Sequence, residues 1–184
     1  MSNLLLIRTK FIDEHLQRAL ENGAKQVVIL GAGFDTRAYR FAEPLKDKRV
    51  FEVDYRSTQE IKKRRLVAAS ITVPRHVRFA EIDFRKDSLH EVLTNAGYQA
   101  AEKTFFIWEG VSMYLSENAV RETLRSISSH SAAGSSLVMD FAGQAMIEML
   151  QKLPELSQHN YTTHWGEPWT FGFPDGREIE FFRE

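Results

Sequence analysis

The chain has 184 residues, 43% of them hydrophobic, which is typical of one domain with a sizeable core; we expect residues 1–184 to form a single domain. Its 24 basic and 25 acidic side chains nearly cancel, so no overall field attracts nucleic acid or an anionic membrane. The chain has no cysteine, which excludes disulfides, thiolate metal sites and cysteine nucleophiles and fits a reducing compartment. It also has no run of ~18 apolar residues that could cross a membrane, so we expect a soluble, cytoplasmic protein.

Hydrophobic periodicity predicts helices that alternate with strands along most of the chain. An opening helix over residues 9–22 ends at Gly23, a residue common at helix C-termini. The predicted strands are 26–30, 49–54, 76–83, 104–109 and 135–141. The helices after them are 36–41, 59–69, 88–96, 116–129 and 144–153. This order predicts an α/β fold with a mostly parallel sheet of about five strands and helices on both faces.

Two segments depart from this alternation in composition. Residues 154–184 are rich in aromatic side chains, glycine and proline, and we expect a loop and a terminal helix within the same domain. The basic run at residues 62–65 lies inside a predicted helix, where we interpret it as a solvent-exposed face and not as a nucleic-acid patch.

Two glycines follow the first predicted strand directly, as Gly31-Ala-Gly33. Glycines in such a turn let the backbone approach a ligand and leave the next helix N-terminus pointing at it. Asp54 ends the second predicted strand, where a carboxylate can accept hydrogen bonds from both hydroxyls of a ribose. Together these residues indicate an adenosine-containing ligand; the alternative is a tight turn and a helix-capping aspartate.

The turn differs from that of dinucleotide-binding folds. It lacks the third small residue of GxGxxG and carries Asp35, whose carboxylate would repel a pyrophosphate. S-adenosylmethionine has a positive sulfonium, an α-amino group and no phosphate, so it fits this turn better than NAD. None of the six histidines stands in a metal-ligand spacing such as HExxH, and no metal site is predicted.

Several motifs in order resemble one family. The stretch Gly31-Ala-Gly-Phe-Asp-Thr-Arg37 resembles the signature of the leucine carboxyl methyltransferase superfamily, which includes bacterial S-adenosylmethionine-dependent methyltransferases. The likeness extends over most of the chain, with further matches at residues 8–13, 51–54, 82–85 and 108–115. It implies a Rossmann-like class I methyltransferase fold that binds S-adenosylmethionine.

The resemblance also implies roles for individual residues along the sheet edge. Gly31 and Gly33 would line the cofactor, and Asp54 would hold its ribose. Asp83, at the end of the third predicted strand, and Phe84 would receive the adenine amino group and ring edge. A loop-capping role is the alternative for Asp83.

At the amino-acid end of the cofactor, the resemblance implies two charged residues. Arg8 would pair with the methionine carboxylate, a task suited to a guanidinium, although a solvated arginine is the alternative. Glu109, at the end of the fourth predicted strand, would bind the ammonium or orient the substrate, or else cap the next turn. Asp35, Thr36 and Arg37 belong to the family's turn and are expected to position its backbone; the alternative is that Arg37 and Arg40 pair with nearby acids.

The family's chemistry implies transfer of a methyl group to oxygen, with a small molecule or a peptide carboxylate as acceptor. Tyr114 and the aromatic segment 161–173 are candidates for the acceptor wall, with core or lid packing as the alternative. Family members carry an N-terminal helical extension and a final antiparallel hairpin, which we do not find in the predicted elements, so the chain looks truncated. An uncovered sheet edge invites pairing, and a homodimer is one expectation. The alternatives to an active enzyme are a cofactor-binding but inactive remnant or interaction module, and an NAD(P)-binding oxidoreductase.

Overall fold

The computed structural model describes residues 2–152 and 168–183. Its strands are β1 (Gln26–Leu30), β2 (Arg49–Asp54), β3 (Val77–Glu81), β4 (Thr104–Trp108) and β5 (Ser136–Met139). In the described part of the chain they form one sheet in the order β3-β2-β1-β4-β5, and every neighbouring pair is parallel. The predicted α/β fold with five parallel strands is therefore confirmed.

Helices connect the strands and cover both faces of the sheet. They are α1 (Ser2–Glu21), α2 (Arg37–Arg40), α3 (Ala42–Leu45), α4 (Arg56–Ala68), α5 (Leu89–Asn95), α6 (Glu117–Ser129), α7 (Gln144–Lys152) and α8 (Glu178–Phe181), with a 3-10 turn at Ser112–Tyr114. None of the helices in the described ranges has the length and apolar character needed to cross a bilayer.

The core lies in two layers because side chains alternate across each strand. On β1, Val27 and Ile29 pack into the layer that contains the buried side of α1, whereas Val28 and Leu30 pack into the layer beneath α5 and α6. All five residues of β1 are buried, as in the centre of a parallel sheet covered on both faces. The carboxyl ends of the central strands are therefore held rigidly.

Several predicted boundaries differ from the structure by one to seven residues. Helix α1 begins at Ser2 and not at Thr9, because residues 4–7 continue the helix while leaving their apolar side chains exposed. The single short helix predicted before Pro44 is two short helices, and Pro44 lies in the first turn of α3, where its missing N–H is not needed. Strand β3 ends at Glu81, two residues before Asp83.

The interpretation of the basic run as a solvent-exposed face is wrong for one of its members. Arg64 and Arg65 are exposed and Lys63 is partly so, but Lys62 is only 4% exposed and pairs with Glu52 of β2. An ammonium can be buried this deeply because a carboxylate lies beside it.

The aromatic C-terminal segment packs partly into the core. Phe171, Phe173 and Phe181 are buried in the layer beneath α5 and α6, and the terminal helix expected here is α8. Tyr161 and Trp165, also considered for the acceptor wall, lie outside the described residues.

Candidate functional site

The predicted site residues gather at the carboxyl edge of the sheet. This edge includes the point between β1 and β4 where the strand order reverses, which is where open α/β sheets bind ligands. Two cavities, of about 350 and 390 Å³, share Gly31 as a lining residue. The first is lined by charged side chains and the turn after β1, and the second by Asp54, Phe84 and largely apolar groups.

Both glycines of the turn have backbone conformations that other residues rarely adopt. Gly31 has φ +63° and Gly33 has φ +43°. At Gly31 space is a second requirement, because a Cβ there would stand 2.2 Å from Cγ2 of Val111, on the loop after β4. The turn after β1 thus packs directly against the loop after β4, and the two loops meet between the cavities.

Asp54 fixes this turn to the end of β2. Its carboxylate accepts hydrogen bonds from the backbone N–H of Gly33 at 2.5 Å and of Tyr55 at 2.6 Å, and the residue is 8% exposed. Burial raises the pKa of Asp54, while the two N–H groups oppose that rise. The alternative of a helix cap is not observed, since the N-cap of α4 is Tyr55 and no side chain caps that helix.

Asp83 lies at the margin of the second cavity and does not line it. Its carboxylate accepts hydrogen bonds from the Tyr55 hydroxyl at 2.8 Å and from Arg85 at 3.0 Å, through both the side chain and the backbone N–H. The Arg85 guanidinium holds the pKa of Asp83 well below its usual range. Asp83 therefore has the loop-capping contacts that were its alternative reading, and Tyr55 and Arg85 stand between it and the cavity.

Phe84 lines the second cavity and is 7% exposed. Its ring stacks on Trp108 of β4, with centroids 6.4 Å apart. The opposite wall is formed by Tyr114, Pro168 and Thr170, and the Thr170 hydroxyl donates to the backbone oxygen of Leu115. Tyr114 is thus a wall residue, whereas Phe171 and Phe173 have the core packing that was the alternative.

Arg8 reaches the first cavity from α1. It donates to Glu109 at 2.7 Å and to Asp140 at 2.6 Å, so the alternative of a solvated arginine is wrong. Asp140 follows β5 and also accepts the backbone N–H of Gly110 at 2.6 Å. Arg8 and Glu109 are therefore in direct contact, with Arg8 bridging the carboxylates that follow β4 and β5.

Arg37 is the buried centre of this charged network. Its guanidinium donates to Asp13 of α1, Asp35 of the turn and Glu109, at 2.5 to 2.7 Å, and its side chain is 4% exposed. Arg40 also pairs with Asp13, at 2.8 Å, so the expected pairing of these two arginines with acids is confirmed. Because Asp35 is compensated by Arg37, it repels an anion less than the sequence alone suggests.

Sequence reasoning missed Asp140, Tyr55 and Arg85 as parts of the site. Asp140 follows the observed β5 directly, as Glu109 follows β4, but the predicted strand 135–141 placed it inside the strand, and this hid its position at the sheet edge. No sequence pattern marks Tyr55 and Arg85, whose contacts with Asp83 depend on how the loops after β2 and β3 come together.

Comparison with known proteins adds independent findings. The model of the leucine carboxyl methyltransferase family matches residues 1–128. A Bacillus subtilis protein named "Putative S-adenosyl-L-methionine-dependent methyltransferase YktD" is 38% identical over 141 residues, which are 77% of this chain and 46% of that protein. A Mycobacterium marinum protein with the same description is 33% identical over 181 residues, 98% of this chain and 55% of its own length. The chain thus spans about half the length of the relatives it matches.

Solved structures support the fold. PKMT2 from Rickettsia typhi in complex with AdoHcy aligns with a TM-score of 0.56 at 15% identity, over 89% of this chain and 28% of that protein. The S-adenosylmethionine-dependent methyltransferase SibL in its apo form aligns with a TM-score of 0.52 at 16% identity, over 77% of this chain and 39% of SibL. The chain therefore has the Rossmann-like fold of these methyltransferases.

Proposed function

The chain belongs to the leucine carboxyl methyltransferase family, and we propose that it binds S-adenosylmethionine along the carboxyl edge of its sheet and transfers the methyl group to an oxygen atom. The observation that carries the proposal is the pair of cavities joined at Gly31, one charged and one bordered by Asp54 and aromatic rings. A ligand with a zwitterionic end and an adenosine end matches this pair.

The adenosine would occupy the second cavity. Asp54 and Phe84 both line this cavity, where the Asp54 carboxylate would accept hydrogen bonds from the ribose hydroxyls and Phe84 would offer an apolar surface to the adenine ring. Asp83 already accepts hydrogen bonds from the Tyr55 hydroxyl and from Arg85, so the adenine amino group would compete with these donors for its carboxylate.

The methionine end would occupy the first cavity. The lining of this cavity includes the guanidinium groups of Arg8, Arg37 and Arg40 and the carboxylates of Asp35 and Glu109. Two further carboxylates, those of Asp13 and Asp140, pair with these arginines from outside the lining, so the network as a whole has one net negative charge. Arg8 would hold the ligand's carboxylate and Glu109 its ammonium. A net negative charge suits a sulfonium and disfavours a pyrophosphate, and this argues against the NAD(P)-binding alternative although Asp35 itself is paired.

The chemistry asks little of acid or base groups. S-adenosylmethionine supplies a methyl group already activated on a positive sulfur, and the transfer is an in-line displacement. The residues of this chain would contribute alignment, through the Gly31 turn and Asp54, and exclusion of water, through the wall of Tyr114 and Thr170. A carboxylate acceptor, on a small molecule or at a peptide terminus, is already anionic and needs no base. A hydroxyl acceptor would need one.

Calorimetric titration with S-adenosylhomocysteine tests the cofactor, with NADH as the competing candidate. We expect saturable binding to the wild type and to Asp47→Ala, an exposed control, and loss of binding in Asp54→Ala. At about 100 times the dissociation constant, the ligand should stabilise the fold by roughly 2.7 kcal/mol. Binding of NADH without S-adenosylhomocysteine would refute the proposal. Binding without methyl transfer to any offered carboxylate or hydroxyl would favour the alternative of a cofactor-binding, inactive module.

We also propose that two copies of the chain pair through β5. In the described ranges β5 is the last strand of the sheet, and its sequence contains no proline or lysine to block pairing. Cavities of about 640 and 390 Å³ flank it and share Ser136 and Leu137. Antiparallel pairing of this edge with its own copy would be self-complementary. Sedimentation equilibrium tests this: a dimer that Ser136→Lys dissociates supports it, and a wild-type monomer at high concentration refutes it.

A further inference from the structure

A buried ion pair lies behind the glycine turn and outside both cavities. The Lys62 ammonium of α4 stands 2.6 Å from the Glu52 carboxylate of β2, and the two residues are 4% and 1% exposed. Burying two charges is costly even when they are paired, and apolar residues of similar volume are often as stabilising. Stability alone is therefore a poor explanation for this pair, and its position relative to the site suggests another.

The Lys62 ammonium touches both elements that flank the turn. Glu52 lies two residues before Asp54 on β2, and side chains two apart on a strand point to the same face. Nζ of Lys62 also lies 5.6 Å from the ring centre of Tyr39 on α2, the helix that follows the turn. One buried cation thus joins the strand that carries Asp54 to the helix that continues from Gly33.

A second side chain of α4 holds the same part of β2. Nε2 of Gln59 donates to the backbone oxygen of Glu52 at 3.0 Å and to that of Ala80 on β3 at 2.8 Å, and Gln59 is 3% exposed. Gln59 and Lys62 are three residues apart and lie on the same side of the helix. Helix α4 therefore holds Glu52 by its backbone and by its carboxylate.

We infer that Lys62 is a positioning residue for Asp54: its buried ammonium, held between Glu52 and Tyr39, fixes the Asp54 carboxylate where it accepts the Gly33 amide. For ligand affinity the inference rests on the proposed function, in which the same carboxylate meets the ribose. Lys62 lines neither cavity, so its effect on a ligand is indirect.

The pair has a pH dependence of its own. Four groups lie near Glu52: Lys62 of α4, Tyr39 of α2, Asp35 of the turn and, two positions further along β2, Asp54. Burial raises the pKa of Glu52 to about 7, against the opposing effect of the Lys62 ammonium and with a further rise from Asp35. As the pH falls through this value Glu52 binds a proton and its attraction for Lys62 is lost, and the affinity for the ligand should fall in the same range.

Calorimetric titration with S-adenosylhomocysteine tests the inference. At pH 8, Lys62→Met should weaken binding about tenfold in the wild-type background and leave it unchanged in an Asp54→Asn background, because coupled residues are not additive. Lys63→Met, a control next to Lys62 whose ammonium lies over the Phe79 ring, should bind like the wild type. The wild-type affinity should fall several-fold from pH 8 to pH 6, whereas Glu52→Gln should bind weakly and equally at both values.

A second measurement needs no ligand. Amide exchange at Gly33, whose N–H binds Asp54, should quicken in Lys62→Met and stay unchanged in Lys63→Met. The double variant Glu52→Gln/Lys62→Met removes both charges of this buried pair and should fold, with the same fast Gly33 exchange. A Lys62→Met effect that persists fully in the Asp54→Asn background, or slow Gly33 exchange in both variants, overturns the inference. If the wild type binds no S-adenosylhomocysteine, the proposed function fails, and the Gly33 exchange still decides the role of Lys62.

Discussion

Replacing Gly31 by alanine tests how tightly the turn after β1 packs against the loop after β4. The new methyl group would meet Cγ2 of Val111 at 2.2 Å, and φ at this position is +63°. The left-handed backbone costs an alanine about 1–2 kcal/mol. Overpacking against a stiff β-branched side chain adds about 1–3 kcal/mol, so we expect Gly31→Ala to lower the free energy of unfolding by roughly 2–5 kcal/mol.

Two further variants separate backbone strain from collision. Gly97 has φ +93° and nothing within 4 Å of the position of a Cβ, so Gly97→Ala should cost only the strain, about 1–2 kcal/mol. In a Val111→Ala background the 2.2 Å contact with Cγ2 is removed and only the 3.2 Å contact with Cβ remains, so Gly31→Ala should cost about 1–2 kcal/mol there as well.

Urea denaturation followed by tryptophan fluorescence measures all five proteins, including wild type and the Val111→Ala single variant. The expected coupling between positions 31 and 111 is about 1–3 kcal/mol. An equal cost of Gly31→Ala with and without the Val111 side chain would falsify the packing described for the two loops. S-adenosylhomocysteine affinity, measured on the same samples, should fall in Gly31→Ala and recover in part in the double variant, because both residues line the second cavity.

Two further predictions concern the buried charges. Because the pKa of Glu52 is raised from 4.5 to about 7, the folded state binds this proton more tightly than the unfolded state. The stability that this proton contributes is fully present below pH 4.5 and is lost as the pH rises to about 7. The loss amounts to roughly 3 kcal/mol relative to Glu52→Gln, measured by denaturation at pH 5 and pH 8, and a pH-independent difference between the two proteins would contradict it. Arg37→Met leaves the buried Asp35 without its cation and removes one of the two guanidinium partners of both Asp13 and Glu109, so it should cost about 3–5 kcal/mol at pH 7. Arg40→Met, at an exposed pair with Asp13, should cost about 1 kcal/mol or less; similar costs for the two would refute the central position of Arg37.

The strands and their parallel direction could be predicted from the sequence because local patterns determine them. The apolar run at residues 26–30 predicts β1 at its exact bounds, and the alternation of strands with helices predicts a parallel sheet. The parallel sheet also predicts that Gly31, Asp54 and Glu109 lie along one edge, because the carboxyl ends of parallel strands are at the same edge of the sheet. The local sequence does not predict that Asp83 accepts hydrogen bonds from Tyr55 and Arg85, because these contacts depend on the paths of the loops after β2 and β3.

The partners of charged residues were the least accessible feature. Lys62 and Arg64 stand two positions apart in one basic run, yet the first is buried against Glu52 and the second is exposed. On an amphipathic helix, apolar residues indicate which face is buried. A lysine on that face is predicted to be exposed to solvent unless its carboxylate partner is known. That partner, Glu52, lies on strand β2, ten residues earlier in the chain. It is a glutamate with apolar neighbours on both sides in the strand. A charged residue inside a strand buried on both faces is thus a usable signal: it predicts that the following helix carries a buried countercharge, and in the structure that residue is Lys62.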